Sequence, residues 1–206
     1  MSVRKLRSAV ICIAASAISA ACAYTPGVSP DLDQKILMRT RKAVAILQMG
    51  FEGEGCMKTT IEVGRRTGND FESVQTLTFF PVPGSAGDAA QFELPPGEYH
   101  IVSWKCEVTV SHRVLRITTL SRREGGNLFG DGARYKESYG SFSLAAGEIV
   151  NLGYLRMVRT SSSTMRLEVG DLARKQHEKL EREKPRLVAQ MVTRLIKANP
   201  NQMTVR

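Results

Sequence analysis

The chain has few of the residues on which most catalytic and metal sites depend. Only three histidines occur among its 206 residues, His100, His112 and His177, and no two of them have the spacing of zinc ligands. The sequence also lacks a Gly-x-Ser-x-Gly nucleophile elbow and a phosphate-binding glycine loop that ends in Lys and Ser or Thr. These absences argue against a zinc enzyme, an α/β-hydrolase and a P-loop NTPase, and we expect no cofactor and no metal.

A long hydrophobic run is missing as well, which limits how the chain can meet a membrane. The uncharged apolar stretch at residues 8–21 is shorter than the about 20 residues that a spanning helix needs. It follows a positive segment with Arg4, Lys5 and Arg7, and small residues lead from it to Cys22. A charged start, a short apolar middle and a small-residue end are typical of an export signal, which we predict at residues 1–21.

Two cleavage sites fit the end of this signal. Residues 19–22 (Ser-Ala-Ala-Cys) resemble the lipobox of bacterial lipoproteins, which implies cleavage before Cys22 and an acylated sulfur on that cysteine. Residues 21–23 (Ala-Cys-Ala) also fit an ordinary signal-peptidase site, and cleavage there gives a secreted protein. Turn-forming residues follow, so we predict that residues 22–41 are a lipid anchor and linker. Ala23 replaces the aspartate that retains such proteins at the inner membrane, so the resemblance implies a periplasmic protein anchored in the outer membrane.

Charge and cysteine content agree with export. The formal net charge is +9, and three of the positive charges lie in the signal. No block of Lys and Arg with interleaved aromatic residues is present, so nucleic acid is not an expected partner. Of the four cysteines, Cys12 lies in the signal and Cys22 at the anchor. We predict a disulfide between Cys56 and Cys106, because an oxidising compartment favours pairing of the two that remain.

From residue 42 to residue 170 the apolar pattern has a period of about two, which predicts strands. Gly, Pro and Asn separate the short runs, as in sandwiches rather than in sheets built from strand–helix–strand units. The sequence therefore predicts a mainly β protein, an antiparallel β-sandwich of about seven to nine strands. The predicted strands are residues 42–49, 57–65, 74–82, 90–94, 99–110, 114–120, 141–144, 149–158 and 165–169.

One short motif occurs twice. Residues 92–99 and 142–149 both read Phe-x-Leu-x-x-Gly-Glu followed by a large apolar residue. Phe and Leu two positions apart lie on one face of a strand, and Pro96-Gly97 suits a turn in which glycine takes positive φ. The repeat predicts two similar strand–turn–strand corners.

Residues 121–140 form a polar, glycine-rich segment that we interpret as a long surface loop. Its glycines do not open a helix before Lys and Ser or Thr, and its acidic residues are too few for a calcium loop. Long loops on a rigid sandwich often carry binding residues. We therefore take this loop as the candidate partner surface, represented by Arg122, Arg123, Asn127, Asp131 and Arg134.

After Gly170 the apolar period changes to that of a helix, and we predict a C-terminal amphipathic helical segment at residues 171–198 with Asp171 as N-cap. It either packs on the sandwich or docks on a partner or bilayer surface. Residues 199–206 are predicted to be a frayed tail. Within this segment a second helical run begins at Pro185. Its apolar stripe consists of Leu187, Val188, Met191, Val192, Leu195 and Ile196.

Two of these motifs carry a family resemblance. The corner at residues 94–99 (Leu-Pro-Pro-Gly-Glu-Tyr) and the strand at residues 146–153 resemble uncharacterised bacterial lipoproteins with a carboxypeptidase-regulatory-like or prealbumin-like β-sandwich. The resemblance covers residues 42–169 and implies a non-enzymatic interaction or structural module of the cell envelope. Its implied partners are the bilayer, through Cys22, and an envelope protein. The alternatives are a hydrolase acting on envelope polymers and a soluble secreted binding protein.

Overall fold

The computed structural model describes residues 28–29, 32–52, 56–80, 88–110, 113–120, 123–124, 134–159, 164–199 and 203–204. The elements are α1 (Gln34–Thr40), β1 (Ala43–Glu52), β2 (Lys58–Thr67), β3 (Asp70–Phe79), β4 (Ala90–Leu94), β5 (Gly97–Val110), β6 (Arg113–Leu120), β7 (Arg123–Glu124), β8 (Arg134–Tyr135), β9 (Gly140–Leu144), β10 (Ile149–Arg159), β11 (Thr164–Gly170), α2 (Arg174–Glu183), α3 (Pro185–Val188), β12 (Met191–Thr193), β13 (Lys197–Ala198) and β14 (Met203–Thr204).

The strands form two packed sheets, which confirms the predicted mainly β sandwich. Sheet A has the order β14-β11-β10-β1-β4, with β12 also paired to β10. Sheet B has the order β13-β9-β5-β2-β3-β8-β7, with β6 also paired to β5. The main core lies between the sheets and includes Leu47, Ile61, Trp104 and Leu155.

The pairing departs from a purely antiparallel arrangement in sheet A. Strand β10 pairs parallel with β1 and with β12, whereas the described pairings of sheet B are all antiparallel. A parallel pair needs a long crossover connection. Every strand of sheet B except β13 lies between β1 and β10 in the chain, and these strands provide that connection.

The two predicted corners carry the chain between the sheets. Gly97 follows β4 of sheet A and opens β5 of sheet B, and Gly147 lies between β9 of sheet B and β10 of sheet A. Their φ values are 154° and 80°, a region that side chains other than glycine rarely adopt. The repeated motif therefore marks two crossings in opposite directions.

The predicted disulfide between Cys56 and Cys106 is confirmed. The two Cα atoms are 5.5 Å apart and 50 residues separate them in the sequence. Both cysteines are buried in the main core, and Trp104 lies in the same core, as their spacing of two residues on one strand predicts.

A layer of helices covers the outer face of sheet A. Outward-facing residues of β1 and β10 pack against residues of α1, α2 and α3 in a second apolar cluster. We call this assembly the helical layer; its buried apolar residues are Val28, Leu32, Leu37, Val44, Ile46, Ile149, Leu172, Leu180 and Leu187. Within the described residues, no helix is long and apolar enough to span a membrane.

Several local predictions were wrong in detail. The range 22–41, predicted as anchor and linker, contains helix α1, because Leu32 and Leu37 find an apolar site on sheet A. Asp171 does not cap α2: its N-cap is Ala173, whose N–H donates to the side-chain oxygen of buried Gln48 at 2.9 Å. Residues Met203–Thr204 of the predicted frayed tail pair with β11.

The predicted stripe from Leu187 to Ile196 does not form one helix. Helix α3 ends at Val188, and Met191–Thr193 pairs with the start of β10 instead. Leu187 and Ile196 are buried, but Val192 is 46% exposed. Residues Met191–Thr193 form backbone hydrogen bonds with β10 in place of helical ones. A segment with helical periodicity in the sequence therefore folds as a short helix, a turn and a strand.

Candidate functional site

The outer face of sheet B carries a group of aromatic, acidic, imidazole and hydroxyl side chains that contact one another. This face is opposite the helical layer, across the core. We call the group the His100 cluster; it consists of Glu62, Phe71, Glu98, His100, Val102, Tyr135 and Ser138.

Its apolar base is formed by residues that the strand register brings together. Phe71 of β3 and Tyr135 of β8 are direct partners, and both pack with Val102 of β5. Gly64 of β2 lies between these strands, where an added Cβ would come within 3.0 Å of a methyl carbon of Val102. A glycine at this position lets the flanking side chains close over the strand.

His100 joins this base to a row of polar groups. Its ring lies 4.6 Å from that of Phe71, measured between centroids. The Nδ1 atom of His100 is 3.1 Å from the hydroxyl oxygen of Ser138, and Nε2 is 3.7 Å from a carboxylate oxygen of Glu98. The Ser138 hydroxyl is also 3.1 Å from the carbonyl oxygen of Gly140, to which it can donate. The Ser138 hydroxyl, the His100 imidazole and the Glu98 carboxylate therefore lie in a row, with the imidazole in the middle.

The surroundings keep His100 neutral at physiological pH. Burial lowers the pKa of His100 from its usual 6.5, and nearby Arg66 acts in the same direction, while Glu98 opposes them. A neutral imidazole accepts at one ring nitrogen and donates one hydrogen bond from the other, and its tautomer determines which nitrogen faces the Ser138 hydroxyl.

The rest of the cluster is held by short polar contacts. The Tyr135 hydroxyl donates to a carboxylate oxygen of Glu62 at 2.6 Å, which joins β8 to β2 across the sheet. Next to it, Lys136 pairs with Asp70 at 2.7 Å. These bonds fix the β8 segment against the face of sheet B, although β8 itself has only two residues.

Chemically, the arrangement offers two capabilities. The charged side chains around the buried rings of Phe71 and Tyr135 form a polar surface of the kind found at the rim of protein interfaces. The Ser138 hydroxyl beside a neutral imidazole resembles the nucleophile and base of acyl-transfer sites. Among the described residues, no group of three or more His, Cys, Asp or Glu side chains could hold a metal ion.

The predicted partner surface is only partly within the described residues. Arg122, Asn127 and Asp131 lie outside them, as does Cys22, the predicted anchor residue. The backbone of Arg123 belongs to β7, which pairs with β8. Arg134 is exposed on β8, directly before Tyr135.

The structure thus links Arg134 to a site that the sequence analysis did not identify. The expectation of one long loop over residues 121–140 was wrong at Arg134–Tyr135, where the chain adds a short strand beside β3 and buries Tyr135. One signal was available, because His100 alternates with the apolar Tyr99 and Ile101 and must face outward if they face the core. The contribution of Ser138 comes from a distant segment, and no local pattern predicts it.

Comparisons with known proteins do not assign this site. No protein-family model, no curated protein and no solved structure matches the chain. The interpretation of the His100 cluster therefore depends on its own residues and geometry.

Proposed function

We propose that the chain is a lipoprotein of the bacterial envelope, anchored through an acylated Cys22, that acts as a non-enzymatic interaction module. The anchor lies in the periplasmic leaflet of the outer membrane, since Ala23 follows the cysteine. The exposed outer face of sheet B, with the His100 cluster and Arg134, is the surface that binds an envelope partner.

One observation supports this proposal most strongly: the two sides of the sandwich differ. Val28 and Leu32, the first buried residues that the structure describes after the predicted signal, belong to the helical layer on sheet A. The outer face of sheet B lies on the far side of the core. A domain tethered at one side and polar on the other can present that second side to a partner while it remains attached to the membrane.

The composition of the sheet B face agrees with a reversible interface. Its charged residues include Lys58, Lys105 and Glu107, and the two lysines contact the glutamate at 3.5 and 2.7 Å. These lysines lower the pKa of Glu107, so the group stays ionised. Charged pairs of this kind are typical of the polar rim of transient interfaces.

Site-specific photocrosslinking in intact cells tests the surface. We expect a photoreactive residue at Thr76, which lies opposite Glu62 on the open face, to give an adduct with another protein. The same residue at Arg174, exposed on α2, is the matched control and is expected to give none. Adducts at Arg174 but not at Thr76 would contradict the assignment of the surface.

Fractionation tests the anchor separately. After the membranes are washed with high salt, which removes proteins held by charge alone, wild-type protein is expected in the membrane pellet and the Cys22→Ala variant in the soluble fraction. If the variant stays in the pellet like the wild type, acylation of Cys22 is not the anchor. If the wild-type protein is soluble and begins at Tyr24, the secreted binding protein becomes the preferred function.

A second candidate function, hydrolysis of an envelope polymer, is favoured by the Ser138–His100 contact. If this pair is catalytic, a serine-directed fluorophosphonate should label the protein, and Ser138→Ala and His100→Asn should both abolish the label. The interaction module predicts no labelling of the folded protein. Labelling that depends on both residues would therefore replace the first proposal by the second.

A further inference from the structure

Helix α1 presents an unusual combination of side chains to solvent. Leu37 is fully buried, and Lys35 and Arg39 lie four residues apart on the opposite side of the helix. Between these sides, Ile36 and Met38 are 42% and 59% exposed. The outward side thus has a basic centre with an apolar residue on each flank.

The surrounding structure holds this short helix firmly in place. The Asp33 side chain accepts from the Ile36 N–H at 2.9 Å, which caps the first turn. The N–H of Gln34 donates to the side-chain oxygen of Gln190 at 3.0 Å. Met38 lies over Gly147, where an added Cβ would come within 2.5 Å of its side chain. The exposed residues of α1 therefore project from a fixed base.

Arg41 completes the basic group at some conformational cost. It ends α1 in the left-handed region with φ of 51° and ψ of 48°, where glycine or asparagine is the usual residue. Among the described residues it is the one non-glycine residue with positive φ. Strain retained at an exposed position is a reason to consider a function for the side chain.

These three cations differ from their neighbours in having no acidic partner among the described residues. Lys42, the next residue, pairs with Glu93 at 2.8 Å, and Arg194 pairs with Glu148 at 2.8 Å. The described ion pairs include none with Lys35, Arg39 or Arg41. The α1 surface keeps its positive charge available for an external anion.

The predicted anchor brings this surface close to lipid. The Lys184 ammonium donates to the backbone oxygen of Val28 and, at 2.7 Å, to the side chain of Gln91, which holds Val28 against sheet A. Only six residue steps separate Val28 from Cys22, a span of at most about 21 Å. An acyl chain on Cys22 would therefore keep the helical layer within that distance of the bilayer.

We propose that Lys35, Ile36, Met38, Arg39 and Arg41 form a face that rests on an anionic bilayer. The three cations would pair with lipid phosphate groups, and the two apolar side chains would enter the boundary between headgroups and acyl chains. This inference deepens the proposed function, on which it depends only for bringing lipid close to α1. It also orients the outer face of sheet B away from the membrane.

Vesicle sedimentation tests the face without the anchor. The full chain carrying Cys22→Ala is mixed with vesicles of phosphatidylglycerol and phosphatidylcholine, and with vesicles of phosphatidylcholine alone. We expect binding to the anionic vesicles only, weakened by salt. Combined Lys35→Gln, Arg39→Gln and Arg41→Gln should lower the partition coefficient about a hundredfold, since each cation near an anionic surface contributes about fivefold.

A matched triple variant controls for general basicity. Arg66→Gln, Arg134→Gln and Lys197→Gln remove the same charge from exposed positions of sheet B and should leave the partition coefficient within about twofold. An equal loss in both triple variants, or no binding by the parent, would overturn the inference. Acylation of Cys22 in cells would still support the anchor in that case, so the two proposals can fail separately.

Arg41→Gly separates binding from folding. Glycine relieves the strain of positive φ, so the variant should unfold at a higher temperature than its parent. Its partition coefficient on anionic vesicles should fall about fivefold. A residue with only a structural role would not combine greater stability with weaker binding, and unchanged vesicle binding would remove Arg41 from the face.

Discussion

The two sheets of the sandwich are stabilised in different ways. Sheet A is covered on both faces near its centre, by the core and by the helical layer. Sheet B packs on the core with one face and exposes a largely polar second face, and it carries the Cys56–Cys106 disulfide at β5. A sheet with only one buried face gains less from burial, and a covalent link is one way in which small exported domains compensate.

The same difference is visible in single strands. Residues 43–47 of β1 in sheet A are all 0% exposed, and they read as a continuous apolar run. In β2 of sheet B, buried residues alternate with partly exposed ones up to a bulge beside Gly64. Parallel pairing, as between β1 and β10, is found where both faces are buried, and antiparallel sheets can expose one face. The comparison teaches that a strand with a continuous apolar run such as β1 pairs in parallel with β10 and is buried on both faces, whereas an alternating strand such as β2 pairs antiparallel and is buried on one face.

The largest effect should come from removing the covalent link of sheet B. Combined Cys56→Ala and Cys106→Ala should lower the free energy of unfolding by about 4 kcal/mol in the chain-entropy description of a 50-residue loop. Urea denaturation, followed by the fluorescence of Trp104 in the same core, measures the change. A denaturation midpoint unaffected by the two substitutions would mean that sheet B does not depend on the disulfide.

The next largest effect is expected from a substitution that leaves a cavity between sheet A and the helical layer. Leu187→Ala should lower the free energy of unfolding by about 3 kcal/mol, because the side chain is fully buried in the helical layer. Val192→Ala is the control, since Val192 belongs to the same apolar stripe of the sequence but is exposed. Its cost should stay below about 0.5 kcal/mol. An equal loss of free energy of unfolding at the two positions would contradict the structure and support the amphipathic helix that the sequence predicts.

A smaller, pH-dependent effect is expected where the chain crosses from sheet B to sheet A. Arg194 donates two hydrogen bonds to Glu148, which lowers the pKa of that carboxyl below its usual 4.5. Because the folded-state pKa is lowered, this contribution is present above pH 4.5 and is lost as the pH falls through the folded-state value. In urea denaturation, Glu148→Gln should lower the free energy of unfolding by about 1 kcal/mol at neutral pH and should leave it unchanged in strong acid.

The matched control for that measurement is Glu72→Gln, an exposed glutamate on β3. Its effect on urea unfolding should be smaller than that of Glu148→Gln at neutral pH. A cost of Glu148→Gln that does not change with pH would show that the ion pair is not its origin.

The smallest effect concerns His100 on the open face of sheet B. Burial lowers its pKa below 6.5, so the unfolded chain binds a proton before the folded one as the pH falls. The histidine therefore contributes stability above pH 6.5 that is lost on acidification toward the folded-state pKa. His100→Asn should weaken the fall in thermal stability between pH 7 and 5, measured against the wild-type protein. A variant with the same pH profile as the wild type would contradict the burial of His100.

Local patterns predicted the elements that depend on local chemistry. Period-two alternation located most strands, and the repeated motif located the turns at Gly97 and Gly147. The start of β3 was missed by four residues, because the bulge at Val74 shifts the alternation that marks a strand. The disulfide followed from compartment and cysteine count rather than from geometry.

Features that depend on distant contacts could not be predicted in this way. Helix α1 is too short to stand alone and forms because sheet A provides a site for Leu37. Residues Met191–Thr193 have helical periodicity but find their hydrogen-bond partners on β10. The His100 cluster combines residues from β2, β3, β5 and β8 and the segment before β9, and no single stretch of sequence contains its pattern.

The central claim is that an exported, acylated and disulfide-linked sandwich faces the membrane with its helices. Intact mass spectrometry of the membrane-extracted, non-reduced protein tests its foundation most directly. The account predicts a chain that begins at Cys22, carries the added mass of lipid, and has two hydrogen atoms fewer than the reduced form. An unprocessed chain that begins at Met1, without lipid and with Cys56 and Cys106 as free thiols, would contradict it.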